Sequence, residues 1–152
     1  MQEINQIESA IKSQLKVLEE FKYLLSVPAV GWWGAAVFLG EVGDPTRLPR
    51  ARSAVKIAGL NLYRTQSGKS KSGLSITKRS RILLRKAAYR MALSGFKCNR
   101  EFKDYYERKL ERGKPKVSAL VALSAKVLRV MYGVVKNQEN YKPLTERQTQ
   151  GA

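Results

Sequence analysis

Residues 116–136, KVSALVALSAKVLRVMYGVVK, form a long apolar run with few charged interruptions. A helix through this run carries apolar side chains on nearly every side, which is typical of a helix buried in a protein core. We therefore predict that it is the central helix of the fold. The chain has 152 residues and is 43% apolar, which suits one compact domain.

Five more helices are predicted from apolar spacing and from residues that favour helix ends. They are 3–26; 32–42, ended by Gly43; about 50–58, closed by Gly59; about 77–96, with Thr77 as a candidate cap; and 98–114, capped by Asn99 and ended by Gly113. Residues 61–77 lack periodicity and are predicted to be a long basic loop. No segment predicts a strand, so the expected fold class is all-α.

The N-terminal helix carries an apolar seam at spacings of three and four, typical of a coiled coil. The seam consists of Ile4, Ile7, Ile11, Leu18, Phe21 and Leu25. It could pack on its own domain or pair with a second chain, and the pattern leaves both open. We divide the chain into a connector helix (1–24), a helical domain (25–137) and a flexible tail (138–152).

Residues 24–44, LLSVPAVGWWGAAVFLGEVGD, indicate two helices joined by a tight turn that contains Pro28 and Gly31. This pattern is similar to a helix-hairpin-helix element. In such an element, backbone N–H groups at the start of the second helix bind a phosphate, and small residues allow its approach. An ordinary helical hairpin is the alternative.

The charge distribution indicates a polyanionic partner. The net charge is +17, and residues 45–100 contain fifteen Lys or Arg and no Asp or Glu. A stretch of one sign repels itself unless a polyanion neutralises it, so nucleic acid is the expected partner. An anionic membrane surface is disfavoured because no strongly basic amphipathic helix is evident. We name residues 45–100 the basic window.

Several other classes are excluded by composition. The chain has no histidine and one cysteine, Cys98, which excludes an internal disulfide, a Ser/His/Asp triad and a histidine-based zinc site. Glycine, proline and lysine interrupt the apolar runs, so no membrane span is predicted. The N-terminus does not resemble a signal peptide. We expect a cytoplasmic, nucleoid-associated protein with no membrane partner.

The stretch RTQSGKSKSGLSITKRSRILLRK, residues 64–86, holds five serines, two glycines and no acidic residue. Gly68, Lys69 and Ser70 match the second half of a phosphate-binding P-loop, but Tyr63 stands where the first glycine is required. A nucleotide-binding P-loop is therefore not expected.

Three stretches together resemble the transposases of the insertion-sequence one-ten family, the RNA-guided serine recombinases. They are residues 24–44, quoted above; residues 58–92, AGLNLYRTQSGKSKSGLSITKRSRILLRKAAYRMA; and residues 105–143, YYERKLERGKPKVSALVALSAKVLRVMYGVVKNQENYKP. The resemblance is to the C-terminal domain of that family. It covers about residues 24–143, and its most specific part is the Q-S-G motif at 66–68.

The resemblance implies a catalytic serine. In the family, this serine attacks a DNA phosphodiester and becomes covalently joined to the strand, and by position it is Ser67 here. Gln66 and Gly68 would shape its loop. Nucleic acid would be bound by Gln66, Gly68, Lys69, Lys71, Lys78, Arg79, Arg81, Arg85 and Gly31.

The resemblance also implies partners. Family members have an N-terminal RNase-H-like domain with four metal-binding carboxylates, which would hold Mg²⁺; these 152 residues do not include it, and no cofactor is expected in this chain. A guide RNA and a homo-oligomer, dimer or tetramer, are implied as well. We expect the chain alone to be inactive.

The sequence departs from the family pattern at several positions. Ala29 and Trp32 replace the glycine and proline of the hairpin turn, and Ser80 and Arg81 replace the glycine and asparagine that follow Lys-Arg. Two other functions stay open. The chain could be a non-catalytic helix-hairpin-helix module that binds phosphates, or a dimerisation and docking domain that uses the N-terminal seam.

Overall fold

The structure, a computed structural model, describes residues 1–64, 74–76 and 80–144. Within them the chain forms seven α-helices, one short 3₁₀ helix and two short strands. In chain order these are α1 (Gln2–Leu15), α2 (Glu19–Ser26), α3 (Trp32–Val42), the 3₁₀ helix (Pro45–Arg47), α4 (Ala51–Ile57), β1 (Leu62–Arg64), β2 (Leu74–Ile76), α5 (Ile82–Cys98), α6 (Arg100–Glu111) and α7 (Lys116–Asn137). The predicted all-α class is confirmed.

Helix α7 lies at the centre of the core, as its composition predicts. Helices α2, α4, α5 and α6 all pack against it. Leu123, Val127, Leu128 and Met131 are fully buried. The hydroxyl of the fully buried Ser124 donates to the carbonyl oxygen of Leu120 at 2.8 Å, so this polar group is paired.

Helix α7 is also the one described helix that is long and apolar enough to span a membrane, with 22 residues and a mean hydropathy of 1.6. Burial explains that composition, because its apolar residues face four other helices of the domain. An apolar core helix satisfies the same criteria of length and hydropathy as a membrane span.

The prediction of one continuous helix over 3–26 is wrong. The chain forms α1 and α2, separated at Leu18, whose backbone is extended (φ −83°, ψ 124°). The break divides the seam: Phe21 on α2 is buried, whereas Ile4 and Ile7 on α1 are exposed. The reason is packing, because α2 turns inward onto α7 while α1 buries none of its residues. Glu19 and Glu20 then lie in the first turn of α2, where acidic residues favour a helix start.

The loop predicted at 61–77 contains regular structure at its two ends. Strands β1 and β2 form an antiparallel ladder in which Leu62 pairs with Ile76 and Arg64 with Leu74. Three residues a strand are too few for an alternating pattern to stand out in the sequence. Helix α5 begins at Ile82, later than predicted, so Thr77 is not its cap.

The residues predicted to end or cap helices are confirmed at four positions. Gly43, Gly59 and Gly113 all adopt positive φ after α3, α4 and α6, which glycine does without a steric penalty. The Oδ1 atom of Asn99 accepts a hydrogen bond from the N–H of Phe102 at 3.0 Å and so caps α6.

The start of the predicted flexible tail is bound to the domain. Tyr141 donates its backbone N–H to Ser26 Oγ at 2.8 Å and its hydroxyl to Glu101 Oε2 at 2.6 Å. Lys126 Nζ donates to Glu101 Oε1 at 2.9 Å. Burial acts to raise the pKa of Glu101, but hydrogen bonds from Lys126 and Tyr141 outweigh it and hold that pKa below its ordinary value. These contacts join Tyr141 to α2 and α6, and hydropathy does not reveal them.

Ala29, in the turn between α2 and α3, gives a testable prediction of stability. Its backbone has φ 67°, a left-handed conformation that strains a residue with a Cβ by about 1–2 kcal/mol. Ala29→Gly relieves that strain and adds a backbone entropy cost of about 0.5–1 kcal/mol. We expect the free energy of unfolding to rise by roughly 0.5–1 kcal/mol in urea titrations.

The matched control is the same substitution within α3. Ala36→Gly should lower the free energy of unfolding by about 1 kcal/mol, because helix-interior glycine is unfavourable. If both variants lost stability equally, the strain assigned to Ala29 would be absent.

Candidate nucleic-acid interface

The Q-S-G segment lies outside the described residues. This applies to seven of the ten residues predicted to form the site: Gln66, Ser67, Gly68, Lys69, Lys71, Lys78 and Arg79. The other three, Gly31, Arg81 and Arg85, are described. The structure describes the elements that flank this segment, namely β1, β2, the end of α4 and the start of α5. We name these flanking elements the base of the segment.

That base joins the two ends of residues 61–80. Residues 65–73 connect β1 to β2, which pair along their length. Next to the ladder, the N–H of Arg81 donates to the carbonyl oxygen of Ile57 at 3.1 Å, which links the start of α5 to the end of α4. Leu60, which lies between α4 and β1 in the chain, is buried in the core. The segment that carries Ser67 therefore begins and ends on anchored backbone.

Arg81 is held at this base by a carboxylate. Its Nη1 lies 3.6 Å from Glu41 Oε2 at the end of α3, and the side chains are 59% and 22% exposed. An exposed pair of this kind is worth about 0–1 kcal/mol, so a phosphate can compete for the guanidinium. Glu41 therefore positions Arg81 and also reduces the positive charge of the base.

Arg85 is positioned by one of the residues that departs from the family pattern. Its Nη1 donates to Ser80 Oγ at 3.2 Å. Arg85 lies one turn into α5, and its side chain is half-buried. The serine that stands in place of glycine thus fixes the direction of a predicted phosphate-binding arginine.

Gly31 is the N-cap of α3, and no side chain caps this helix. Its φ is −83°, and a Cβ added there would meet no atom within 4 Å. The space around Gly31 therefore does not require glycine, and glycine is one of the residues that helix N-caps favour. Two cations flank the helix start: Lys12 Nζ lies 4.3 Å from the Trp32 ring centre, and Arg90 Cζ lies 5.5 Å from that of Trp33.

A groove that the sequence did not predict lies beside this base. A cavity of about 440 Å³ lies next to α5 and is lined by Trp33, Leu60, Leu83, Arg85, Lys86, Tyr89, Arg90 and Val121. The available signal was the spacing of three and four that links Arg85 and Lys86 to Tyr89 and Arg90. We name this cavity the α5 groove.

Within the described part of the basic window, acidic side chains form ion pairs with it at two points. Glu41 pairs with Arg81, and Asp44 pairs with Arg47 at 3.3 Å. The Thr46 hydroxyl and N–H both donate to Asp44 Oδ1, which lowers the pKa of this carboxyl, and the Arg47 charge lowers it further. Both carboxylates that are near in sequence therefore already have structural partners.

Comparison with known proteins identifies the family of the chain. A family model described as Transposase IS116/IS110/IS902 family matches residues 21–107, more than half of the chain. The protein belongs to this transposase family. The match extends from α2 to α6 and includes the Q-S-G segment.

Three curated relatives match nearly the whole chain. The 43.6 kDa protein of insertion element IS110 from Streptomyces coelicolor is 29% identical over 90% of this chain. The 42 kDa protein of insertion element IS900 from Mycobacterium paratuberculosis is 27% identical over 94%. The transposase for insertion sequence element IS1111A from Coxiella burnetii is 27% identical over 91%. The chain spans 34%, 36% and 39% of these relatives' lengths, respectively.

The ion pair between Glu41 and Arg81 gives a testable prediction. Glu41→Gln removes one negative charge and the competitor for the Arg81 guanidinium. We expect binding of a DNA duplex at low salt to tighten by up to about fivefold, as measured by fluorescence anisotropy.

The control is Glu111→Gln, which makes the same charge change at the end of α6. It should alter the affinity less than Glu41→Gln does. Equal effects of the two variants would show that net charge alone matters and that Arg81 has no local role.

Proposed function

We propose that this chain is the DNA-binding and catalytic-serine domain of an insertion-sequence transposase. It would act in DNA transposition or recombination through a covalent phosphoserine–DNA intermediate, with Ser67 as the nucleophile. The observation that carries the proposal is the family match over residues 21–107, which contains the Q-S-G motif within a stretch free of acidic residues. By the same argument, we expect a C-terminal place in the full protein and a cytoplasmic location at the nucleoid.

The cations at the base suit the chemistry proposed for Ser67. When its Oγ bonds to phosphorus and a phosphodiester P–O bond breaks, negative charge builds on the phosphoryl oxygens. Arg81 and Arg85 are held at the end of the segment by Glu41 and Ser80, so they would neutralise that charge with little reorganisation. The backbone at Gly31 offers a second phosphate contact, at the start of α3.

Proton removal from Ser67 requires a group that these residues do not offer. Glu41 and Asp44 are occupied in ion pairs, and the sequence has no histidine. Among the described residues, no three Cys, Asp or Glu side chains are grouped to hold a metal ion. The Mg²⁺ implied by the resemblance therefore fits the carboxylates of an RNase-H-like domain, and we propose a site completed by that domain. A guide RNA and a homo-oligomer remain part of this proposal.

The second candidate function is a helix-hairpin-helix module that binds phosphates without chemistry. The turn from α2 to α3 favours it, because Gly31 leaves room for a phosphate at an uncapped helix start. Both functions require DNA binding, and only a covalent adduct separates them.

The salt dependence of DNA binding tests the contact face. On B-DNA, the log–log slope of affinity against salt is roughly −0.9 for each phosphate contacted. Replacing Lys78, Arg79 and Arg81 together by alanine should flatten the slope by roughly two to three units. The measurement is a series of anisotropy titrations at increasing sodium chloride.

The control is a triple alanine variant of exposed cations on α6 and at its C-cap: Lys103, Arg108 and Arg112. It makes the same change in net charge and should keep the slope closer to that of the unmodified chain. If the two triple variants behave alike, the contact face lies elsewhere.

The covalent step has a direct test. With magnesium and a DNA substrate, the 152-residue chain alone should form no adduct. Addition of the RNase-H-like domain of a relative, in trans or fused to the chain, should yield an adduct that peptide mass spectrometry maps to Ser67. Ser67→Ala should abolish it.

Ser70→Ala serves as the control and should leave the adduct unchanged. An adduct at Ser70, Ser72 or Ser75 would contradict the assignment of the nucleophile. Efficient cleavage by the chain alone would contradict the composite site, and DNA binding without any adduct would favour the non-catalytic module.

A further inference from the structure

The α5 groove combines an apolar floor with a cationic rim. Its apolar lining comes from α3, α5 and α7 and from Leu60, and includes two aromatic rings, Trp33 and Tyr89. Both rings are half-buried, so part of each stays accessible. Leu83 on α5, which also lines the groove, is 47% exposed.

The rim carries charge of one sign. Arg85, Lys86 and Arg90 line the groove, and none of its eight described lining residues is acidic. Arg90 Cζ lies 5.5 Å from the centre of the Trp33 ring, so a cation is fixed beside an aromatic surface. An occupant must therefore offer a flat apolar surface and at least one adjacent negative charge.

We propose that the α5 groove binds an unpaired nucleobase, with its flanking phosphates on Lys86 and Arg90. The inference rests on the proposed function, because it presumes a nucleic-acid ligand, and it adds the form of that ligand. Bases stack on aromatic side chains whatever their sequence, and cations along the groove follow the backbone. A base in a paired duplex is stacked on its neighbours and cannot enter such a groove.

The position of the groove links it to the proposed site. Leu60 precedes β1, and Leu83 follows the start of α5, so the groove is lined from both ends of residues 61–80. Arg85 lines the groove and also donates to Ser80, so a strand held there by its base, with the flanking phosphates on Lys86 and Arg90, would bring its next phosphate towards Arg85. The groove would thus distinguish a strand with an unpaired base from a fully paired duplex.

The test uses Trp33 as a reporter. The chain contains two tryptophans, so Trp32→Phe leaves Trp33 as the sole one without altering the groove lining. We expect its fluorescence to be quenched on titration with a single-stranded oligonucleotide and to change little with the same oligonucleotide annealed to its complement.

Affinity measurements on substituted chains give the second readout. Trp33→Leu and Tyr89→Leu keep apolar volume but remove stacking, and each should weaken single-strand binding by about tenfold. Their duplex affinity should stay close to that of the unmodified chain. Tyr106→Leu on α6, which does not line the groove, should leave the single-strand affinity nearly unchanged, and thermal melting should verify that all variants fold.

The outcomes separate the two proposals. If the chain binds duplex and single strand but Trp33 is not quenched, or if neither leucine variant weakens single-strand binding, the groove does not hold a base. A groove that serves a protein partner would give that same result. If the chain binds no nucleic acid at all, the proposed function fails, and the inference fails with it.

Discussion

The burial of α7 is the interaction on which the rest of the structure depends. Eleven of its residues are buried, and four other helices pack on them. Each fully buried Leu or Met contributes roughly 1.5–3 kcal/mol, whereas an exposed ion pair contributes about 0–1 kcal/mol. Helix α5 packs against α7 and buries four small residues, Ala87, Ala88, Ala92 and Gly95; a Cβ at Gly95 would lie 2.8 Å from the Phe102 ring of α6. The core therefore fixes the position of α5, and surface charges are free to serve another purpose.

Hydrogen bonds from α7 hold in place the segment that leads to the candidate site. The Tyr132 hydroxyl donates to the carbonyl oxygen of Leu48, and Lys136 Nζ donates to that of Thr46, both at 2.9 Å. They fix the segment that leads into α4, and α4 ends at Ile57, whose carbonyl accepts from Arg81. Both ends of residues 61–80 are thus anchored through elements that pack on α7. An anchored base of this kind restricts where a reactive loop can reach, which favours a defined geometry for its chemistry.

The sequence predicted the helices well where apolar periodicity and end signals coincide. Gly43, Asn99 and Gly113 mark helix ends because each has a local backbone role that its own residue type reveals. The break at Leu18 and the docking of Tyr141 were not predictable in this way. Both depend on contacts between residues far apart in the sequence, such as Tyr141 with Glu101 and Ser26. The α5 groove was missed for the same reason, since Trp33, Leu60 and Val121 meet only in the folded chain.

Acidic and basic residues lie on different elements of the fold, and this separation relates the fold to the expected polyanionic partner. The acids lie on α1, α2, the end of α3, the turn before the 3₁₀ helix, α6 and the C-terminal segment, whereas the basic window supplies α4 and α5. Lys86, Arg90 and Lys97 follow one another along an exposed side of α5, where like charges one and two turns apart repel. That repulsion opposes folding, and a polyanion that binds this side removes it. Binding free energy and folding stability are thus linked through the same cations, because a ligand that binds only the folded state stabilises it.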